Sequence, residues 1–209
     1  MKIIFEDNHI VVCIKPSGLL SQGDQKGSKN AVSLLSDTLK TDIYPIHRLD
    51  KGTYGLMVFA KTPKAAAALS AQIQSRSFKK YYIAYIHGVP AEPSGSLEDL
   101  LFFDQKKAKS FVVKKERNGV KKAILHYQVT ETKELSGNKI SKLFITLETG
   151  RTHQIRVQFA SRKMPLLGDQ RYGANDNIDT IALTSCRLEF IHPITKEKMI
   201  FETEPEIQY

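Results

Sequence analysis

SFVVKKERNGVKKAILHYQVTETKELSGNKISKLFITLETG, residues 110–150, is the stretch on which the fold class turns. Within it Leu143, Ile145 and Leu147 alternate with polar residues and Phe144, the period-two pattern of a half-buried strand. Ser110–Lys115 and Lys121–Lys133 are β-favouring runs too. Asn118-Gly119 between them is the strongest short-range signal for a hairpin closed by a type I′ turn. Ser136-Gly137-Asn138 then turns the chain into a third strand over Lys139–Thr149. Successive strands joined by short turns predict an antiparallel sheet.

Outward from this run, helices are few and interspersed. Ile3–Phe5 and His9–Lys15 read as short strands closed by Pro16-Ser17-Gly18. Asn30–Lys40 puts Val32, Leu35 and Leu39 on one helical face, with Asn30 as N-cap. LMVFAK (56–61) reads as a buried strand. Thr62-Pro63 then supplies an N-cap and a proline at the first helical position for the helix that follows. Lys80–Gly88 is a strand with Tyr81, Ile83 and Tyr85 on one face and Tyr82 and Ala84 on the other. A helix is expected near His153–Ser161, with Ile155 and Phe159 at i, i+4, and a last long strand over Ile181–Ile191. The class is α+β, a largely antiparallel mixed sheet with a few flanking helices, and 1–209 reads as one domain with room for two lobes.

Composition narrows the partners. With 41% hydrophobic and 25% charged residues the chain is globular rather than disordered. Lys and Arg number 31 against 22 Asp and Glu, a formal charge of +9 that favours a polyanion. The excess is concentrated. From Lys106 to Lys122 eight basic residues, among them Lys106, Lys107, Lys114, Lys115, Lys121 and Lys122, face only Glu116. Such lysines can merely protect an edge strand from aggregation. The density of one sign favours phosphate contact instead.

Cys13 and Cys186 sit far apart in apolar runs, without CxxC or His–Cys spacing. They read as two buried thiols in a reducing cytosol, not as a disulfide or metal framework. Glu6, Asp7 and Asn8 interrupt the apolar start, so no signal peptide is indicated. The longest apolar run, Tyr81–Ile86, is far short of the roughly 20 residues a membrane span needs. A cytoplasmic protein is expected, with a monomer favoured.

Three stretches could carry chemistry. In HRLDKGTYG (47–55) a carboxylate lies between Arg48 and Lys51 on a glycine-containing loop, where it stays ionised. Asp50 there can be a base, a nucleophile, a metal ligand, an ion-pair partner or a cap of backbone N–H groups. In TGRTHQIR (149–156) Arg151 can take a carboxylate or phosphate bidentately, or it can be an exposed arginine after a strand. The tyrosines of KYYIAY (80–85) suit a core, yet their alternation leaves at least one ring able to line a cleft.

Together these stretches resemble the RluA-type pseudouridine synthases. HRLDKGTYGLMVFAK is similar to that family's H-R-L-D-x-x-T-S-G-L motif, KKYYIAYIHG to its K-x-Y strand, and TGRTHQIRVQFA to its T-G-R-x-H-Q-I-R-V-H segment. PLLGDQRYG (165–173) matches a G-D-x-x-Y-G element, and FEDNHIVVCIKPSGLL its opening strand and K-P-x-G turn. The likeness runs through nearly the whole chain in the family's order.

The resemblance implies a pseudouridine-synthase-like fold with a central cleft. It makes Asp50 the catalytic aspartate, Arg151 its ion-pair partner and Tyr82 the ring that stacks on the flipped uracil, with Arg48 helping to hold the flipped-out site open. It implies rRNA or tRNA as substrate and neither cofactor nor metal. Tyr54, Gln158 and Thr184 depart from the usual Ser, His and His, which bears on substrate contacts more than on the reaction. Many relatives carry a small N-terminal RNA-binding domain. Here the first residues already resemble the catalytic domain, so the grip on RNA is expected from that domain and its basic stretch.

Two other readings compete. A non-catalytic RNA-binding or chaperone protein could keep the fold, but binding alone would not require Asp50, Tyr82 and Arg151 together. A metal-dependent hydrolase on His47 and Asp50 has only two candidate ligands three apart and no third nearby.

Overall fold

The computed structural model describes every residue except 25, 26, 136 and 206–209. In chain order the strands are β1 (Lys2–Glu6), β2 (Ile10–Lys15), β3 (Tyr44–Pro45), β4 (Tyr54–Ala60), β5 (Lys79–His87), β6 (Ser94–Asp104), β7 (Lys109–Val113), β8 (Val120–Leu135), β9 (Asn138–Leu147), β10 (Leu183–Ile191) and β11 (Lys198–Glu202). The helices are α1 (Ala31–Leu39), α2 (Pro63–Gln74) and α3 (Gln154–Ala160), with a 3-10 turn at Gln170–Tyr172. The α+β class follows. No helix among the described residues is long and apolar enough to cross a membrane.

The chain divides into two compact units, one of Met1–Tyr81 with described residues 184–205, the other of Tyr82–Leu183. In the first, β2 pairs antiparallel with β1 on one side and β4 on the other, from Ile10↔Ala60 to Lys15↔Gly55. β10 runs parallel to β4 at Thr184↔Tyr54 and Ser185↔Gly55. Only glycine serves at 55. Its φ is +120°, and a Cβ there would stand 2.3 Å from the Ser185 carbonyl oxygen. β11, which the sequence did not suggest after His192-Pro193, adds antiparallel to β10.

Helix termini in this unit follow their local chemistry. Asn30 Oδ1 accepts from the Ser33 N–H at 3.0 Å while Ser33 Oγ faces the Asn30 N–H, a capping box at the start of α1. Thr62 Oγ1 caps α2 at the Ala65 N–H, with Pro63 first in the helix. Burial of Ile10, Val12, Leu56 and Val58 against Ala65, Leu69, Phe78, Leu188 and Phe190 builds the core. The Phe78 and Phe190 rings stack at 5.2 Å.

The second unit corrects the expected hairpin. Ser110–Lys115 and Lys121–Lys133 do not pair with each other. β6 lies between them, pairing with β7 from Leu100↔Val113 to Asp104↔Lys109 and with β8 from Ser94↔Gln128 to Phe102↔Val120. The turn is not type I′ either. Val120 N–H bonds the Arg117 carbonyl, and of the two central residues only Gly119 has positive φ, +83°, as a type II turn requires.

β6 was hidden in SGSLEDLLFFD because Leu100-Leu101-Phe102-Phe103 breaks strict alternation and Glu98-Asp99 interrupts the apolar run. The β8–β9 connection is as expected at Leu135↔Asn138, with Gly137 at φ +78°. Ser136 of that predicted turn lies outside the described residues. Inside this unit Leu101 and Ala123 pack with Val157 and Tyr172, and Tyr85 with Ile140, Leu167 and Ala182.

Candidate active site

Asp50 sits on a loop whose neighbours are fixed one by one. Ser21 Oγ donates to the Leu49 carbonyl at 2.7 Å and accepts from the Leu49 N–H at 2.9 Å, closing both backbone groups of the preceding residue. On the other side the Lys51 carbonyl accepts from Gly18 N–H at 2.9 Å and from Lys15 Nζ at 3.2 Å. The Gly52 carbonyl accepts from Ser17 Oγ, and the Thr53 N–H returns to the Asp50 carbonyl at 3.0 Å. These bonds fix the backbone that carries the Asp50 carboxylate.

Lys15 is the unusual member. Its side chain has no solvent exposure, and Nζ also donates to the Pro16 and Leu19 carbonyls. Burial pulls its pKa down to about 8, with the Asp50 charge opposing the shift. Beneath the loop His47 is buried, and its Nε2 accepts from the Val58 N–H of β4 at 3.2 Å. Burial, reinforced by the Lys80 charge, lowers its pKa to about 3, so the ring is neutral with its proton on Nδ1. That nitrogen lone pair belongs to the backbone, which removes His47 from the metal-ligand role considered above.

Arg151 stands on the loop between β9 and α3. Its Nε donates to the Lys122 carbonyl of β8 at 2.9 Å. Thr149 Oγ1 accepts from the Ile124 N–H, and Ser110 Oγ donates to the Thr152 carbonyl at 2.6 Å. His153 takes a left-handed conformation, φ 55°, just before α3, with Nδ1 3.0 Å from the Tyr172 hydroxyl. Tyr172 belongs to the GDQRYG element. Before it, Asp169 forms a buried two-pronged pair with Arg156 at 2.7 and 2.8 Å.

Tyr82 is 6% exposed, and Tyr85 packs in a core cluster with Ile83 beside it. Tyr81 is half-buried beneath the Arg187 guanidinium, 5.6 Å from its ring. Arg48 is exposed. Sequence reasoning singled out Asp50, Arg48, Tyr82 and Arg151 but passed over Lys15, Ser17, Ser21, Thr149 and Gln154, which hold the two loops. Lys15, Ser17 and Ser21 lie in KPSGLLS, whose K-P-x-G was read as a turn, and Thr149 and Gln154 lie in TGRTHQIR, read for Arg151 alone.

A family model for RNA pseudouridylate synthase matches residues 9–161. The chain belongs to this family. It is 34% identical over 210 residues to the dual-specificity RNA pseudouridine synthase RluA of Haemophilus ducreyi, covering 97% of this chain and 92% of that one. It is 31% identical to the uncharacterized RNA pseudouridine synthase YhcT of Bacillus subtilis (97% and 68%). To the ribosomal large subunit pseudouridine synthase D of Nitrosomonas europaea it is 35% identical (97% and 61%). In fold it is similar to human RNA pseudouridylate synthase domain containing 1, TM-score 0.79 at 21% identity over 97% of this chain and 82% of that one. This synthase is an isomerase that converts uridine in RNA to pseudouridine.

Tyr54 and Thr184, two of the departures noted from the resembled motifs, are register partners across β4 and β10. Gln158 is fully buried, donating to the Leu97 carbonyl and to Asp99. All six lysines named above are exposed: Lys106 and Lys107 after β6, Lys114 and Lys115 after β7, Lys121 and Lys122 opening β8. They spread over a three-stranded patch rather than a two-stranded ribbon. β6 brings Glu98, Asp99 and Asp104 among them, and Glu98 lies 2.6 Å from Lys122. Over residues 94–122 eight basic side chains thus face four acidic ones, a net +4.

Proposed function

We propose that the synthase modifies uridines of ribosomal or transfer RNA in the cytoplasm, with Asp50 as the catalytic carboxylate. The observation that carries the reading is the anchoring of the Asp50 loop, where Leu49, Lys51 and Gly52 are each tied to the 15–21 segment. In the reaction the C1′–N1 bond breaks and a C1′–C5 bond forms. The C5 hydrogen leaves as a proton, and N1 gains one. No electron is gained or lost. A preorganised carboxylate serves either as nucleophile at the ribose or as base.

Arg151 is the cationic partner of that carboxylate. The target base must leave its stack, which costs a few kcal/mol. Stacking on Tyr82 and insertion of Arg48 offset that cost. Lys106, Lys107, Lys114, Lys115, Lys121 and Lys122 contact phosphates and supply sequence-independent affinity. Ribosomal RNA is the substrate suggested by a relative named for the large ribosomal subunit, and more than one RNA target by a relative named for dual specificity.

Unmodified transcripts carrying tritium at uridine C5 test this, because each turnover releases the label to water. Asp50→Asn should reduce release to background while RNA affinity stays within about twofold. Native release from that variant would remove Asp50 from the chemistry.

A further inference from the structure

One buried amide brackets Arg151. The Gln154 Oε1 accepts from the Arg151 N–H at 3.0 Å, and the Gln154 backbone N–H donates to the Arg151 carbonyl at 3.0 Å. The same Oε1 accepts from Thr149 Oγ1 at 2.8 Å, while Nε2 donates to the Ile124 carbonyl at 3.1 Å. Gln154 is 3% exposed. A backbone N–H can only donate and a carbonyl can only accept, so the amide orientation is fixed by its partners. A side chain here must offer an acceptor at one corner and a donor at the other.

Ile124 and Lys122 are both on β8, and the Lys122 carbonyl is the acceptor for Arg151 Nε. Arg151 is therefore referenced to one strand twice. Its backbone reaches β8 through Gln154, and its guanidinium reaches β8 directly. The intervening loop has no regular structure of its own, and His153 in it is left-handed. Without the amide, the Arg151 N–H loses its acceptor, and the root of the side chain can drift while the head stays near β8.

We infer that Gln154 is a positioning residue for Arg151, holding its backbone so that the guanidinium keeps one geometry against β8. This rests on the role proposed above for Arg151. Because it acts through orientation, its loss should lower turnover and leave RNA binding alone. A misplacement near 1 Å costs about a hundredfold in rate.

Three variants of the full chain test it by tritium release from ribosomal and transfer RNA transcripts. Gln154→Met keeps the volume and loses both polar corners, so kcat should fall about ten- to hundredfold with KM within about twofold. In an Arg151→Lys background the same substitution should cost no more than about a further twofold, because the geometry it protects is already gone. Gln154→Glu supplies a rescue with a signature. Protonated, the new carboxyl offers a carbonyl acceptor and an O–H donor in the original places; ionised, it has no donor for the Ile124 carbonyl. Burial raises the pKa of such a carboxyl, so kcat of Gln154→Glu, taken as a ratio to native kcat at each pH, should climb toward one as pH falls from 8 to about 5. Native kcat in folded Gln154→Met, a full additional loss in the Arg151→Lys background, or a flat Gln154→Glu profile overturns the inference alone. Native turnover by Arg151→Lys overturns the role of Arg151 and this inference with it.

Discussion

His47 and Lys15 are buried titratable side chains next to the Asp50 loop, and they act in different pH ranges. The unfolded chain binds a proton on histidine near pH 6.5, whereas folded His47 resists it until about 3. Between those values the unfolded state holds the extra proton, so stability falls with acidification by about 1.4 kcal/mol per pH unit from this group. His47→Gln, whose Oε1 can accept the Val58 N–H, should flatten that part of the acid limb in urea titrations from pH 7 to 4. An unchanged limb would assign the acid sensitivity elsewhere. Lys15 works at the alkaline end, where its pKa of about 8 against 10.5 in the unfolded chain makes this group's contribution to stability rise as pH goes from 8 to 10.5. Its ammonium donates to three carbonyls, and a neutral amine has only two hydrogens. Lys15→Met removes all three bonds and should cost about 2–4 kcal/mol in urea unfolding. HRLD could be read directly because its groups are neighbours in sequence. Ser21 meets Leu49 from 28 residues away and Lys15 meets Lys51 from 36. Partnerships at that distance leave no local pattern.

Elements with a local cause were legible to within a residue or two. The Asn30 and Thr62 caps set the starts of α1 and α2, and Leu143, Ile145 and Leu147 marked β9. What failed was pairing. Asn118-Gly119 reports a turn, but it does not report which strand receives the chain after it. The connection from β7 to β8 passes β6, with the Arg117 guanidinium 4.6 Å from the Phe102 ring and Gly119 against the same ring. A long strand over Lys121–Lys133 was expected and β8 extends it to Val120–Leu135; its pairing with β9 was expected, its pairing with β6 was not. The turn types differ in a measurable way. A type I′ turn needs positive φ at both 118 and 119, while the observed turn needs it at 119 alone. Gly119→Ala should therefore cost about 1 kcal/mol, lowering Tm by about 2–4 °C, and Asn118→Ala should stay within about 0.5 kcal/mol. Equal losses at both positions would restore the I′ hairpin.

Across the whole molecule the +9 charge is the property that a polyanion meets first. The ordered motifs from residue 5 to 173 made the family legible, whereas the amount of charge available to RNA depended on a strand the sequence hid. Inserting β6 lowers the local balance from +7 over Lys106–Lys122 to +4 over 94–122. It also ties one lysine, Lys122, to Glu98 in an exposed pair that is worth little by itself. Ion pairs of this kind give way readily to phosphate, so the patch remains a candidate for counterion release. Reversing Lys106, Lys107, Lys114 and Lys115 to Glu would take the formal charge from +9 to +1 while leaving Lys122, whose carbonyl accepts from Arg151, unchanged. Each phosphate contact contributes about 0.7–0.9 to the slope of log affinity against log salt. Four lost contacts should lower that slope by about 3, and affinity at low salt should fall with it. Single-turnover release at saturating RNA should then change far less than affinity does, because the patch binds and does not react. Unchanged affinity and slope would make these lysines a solvated surface and move the grip on RNA to other side chains.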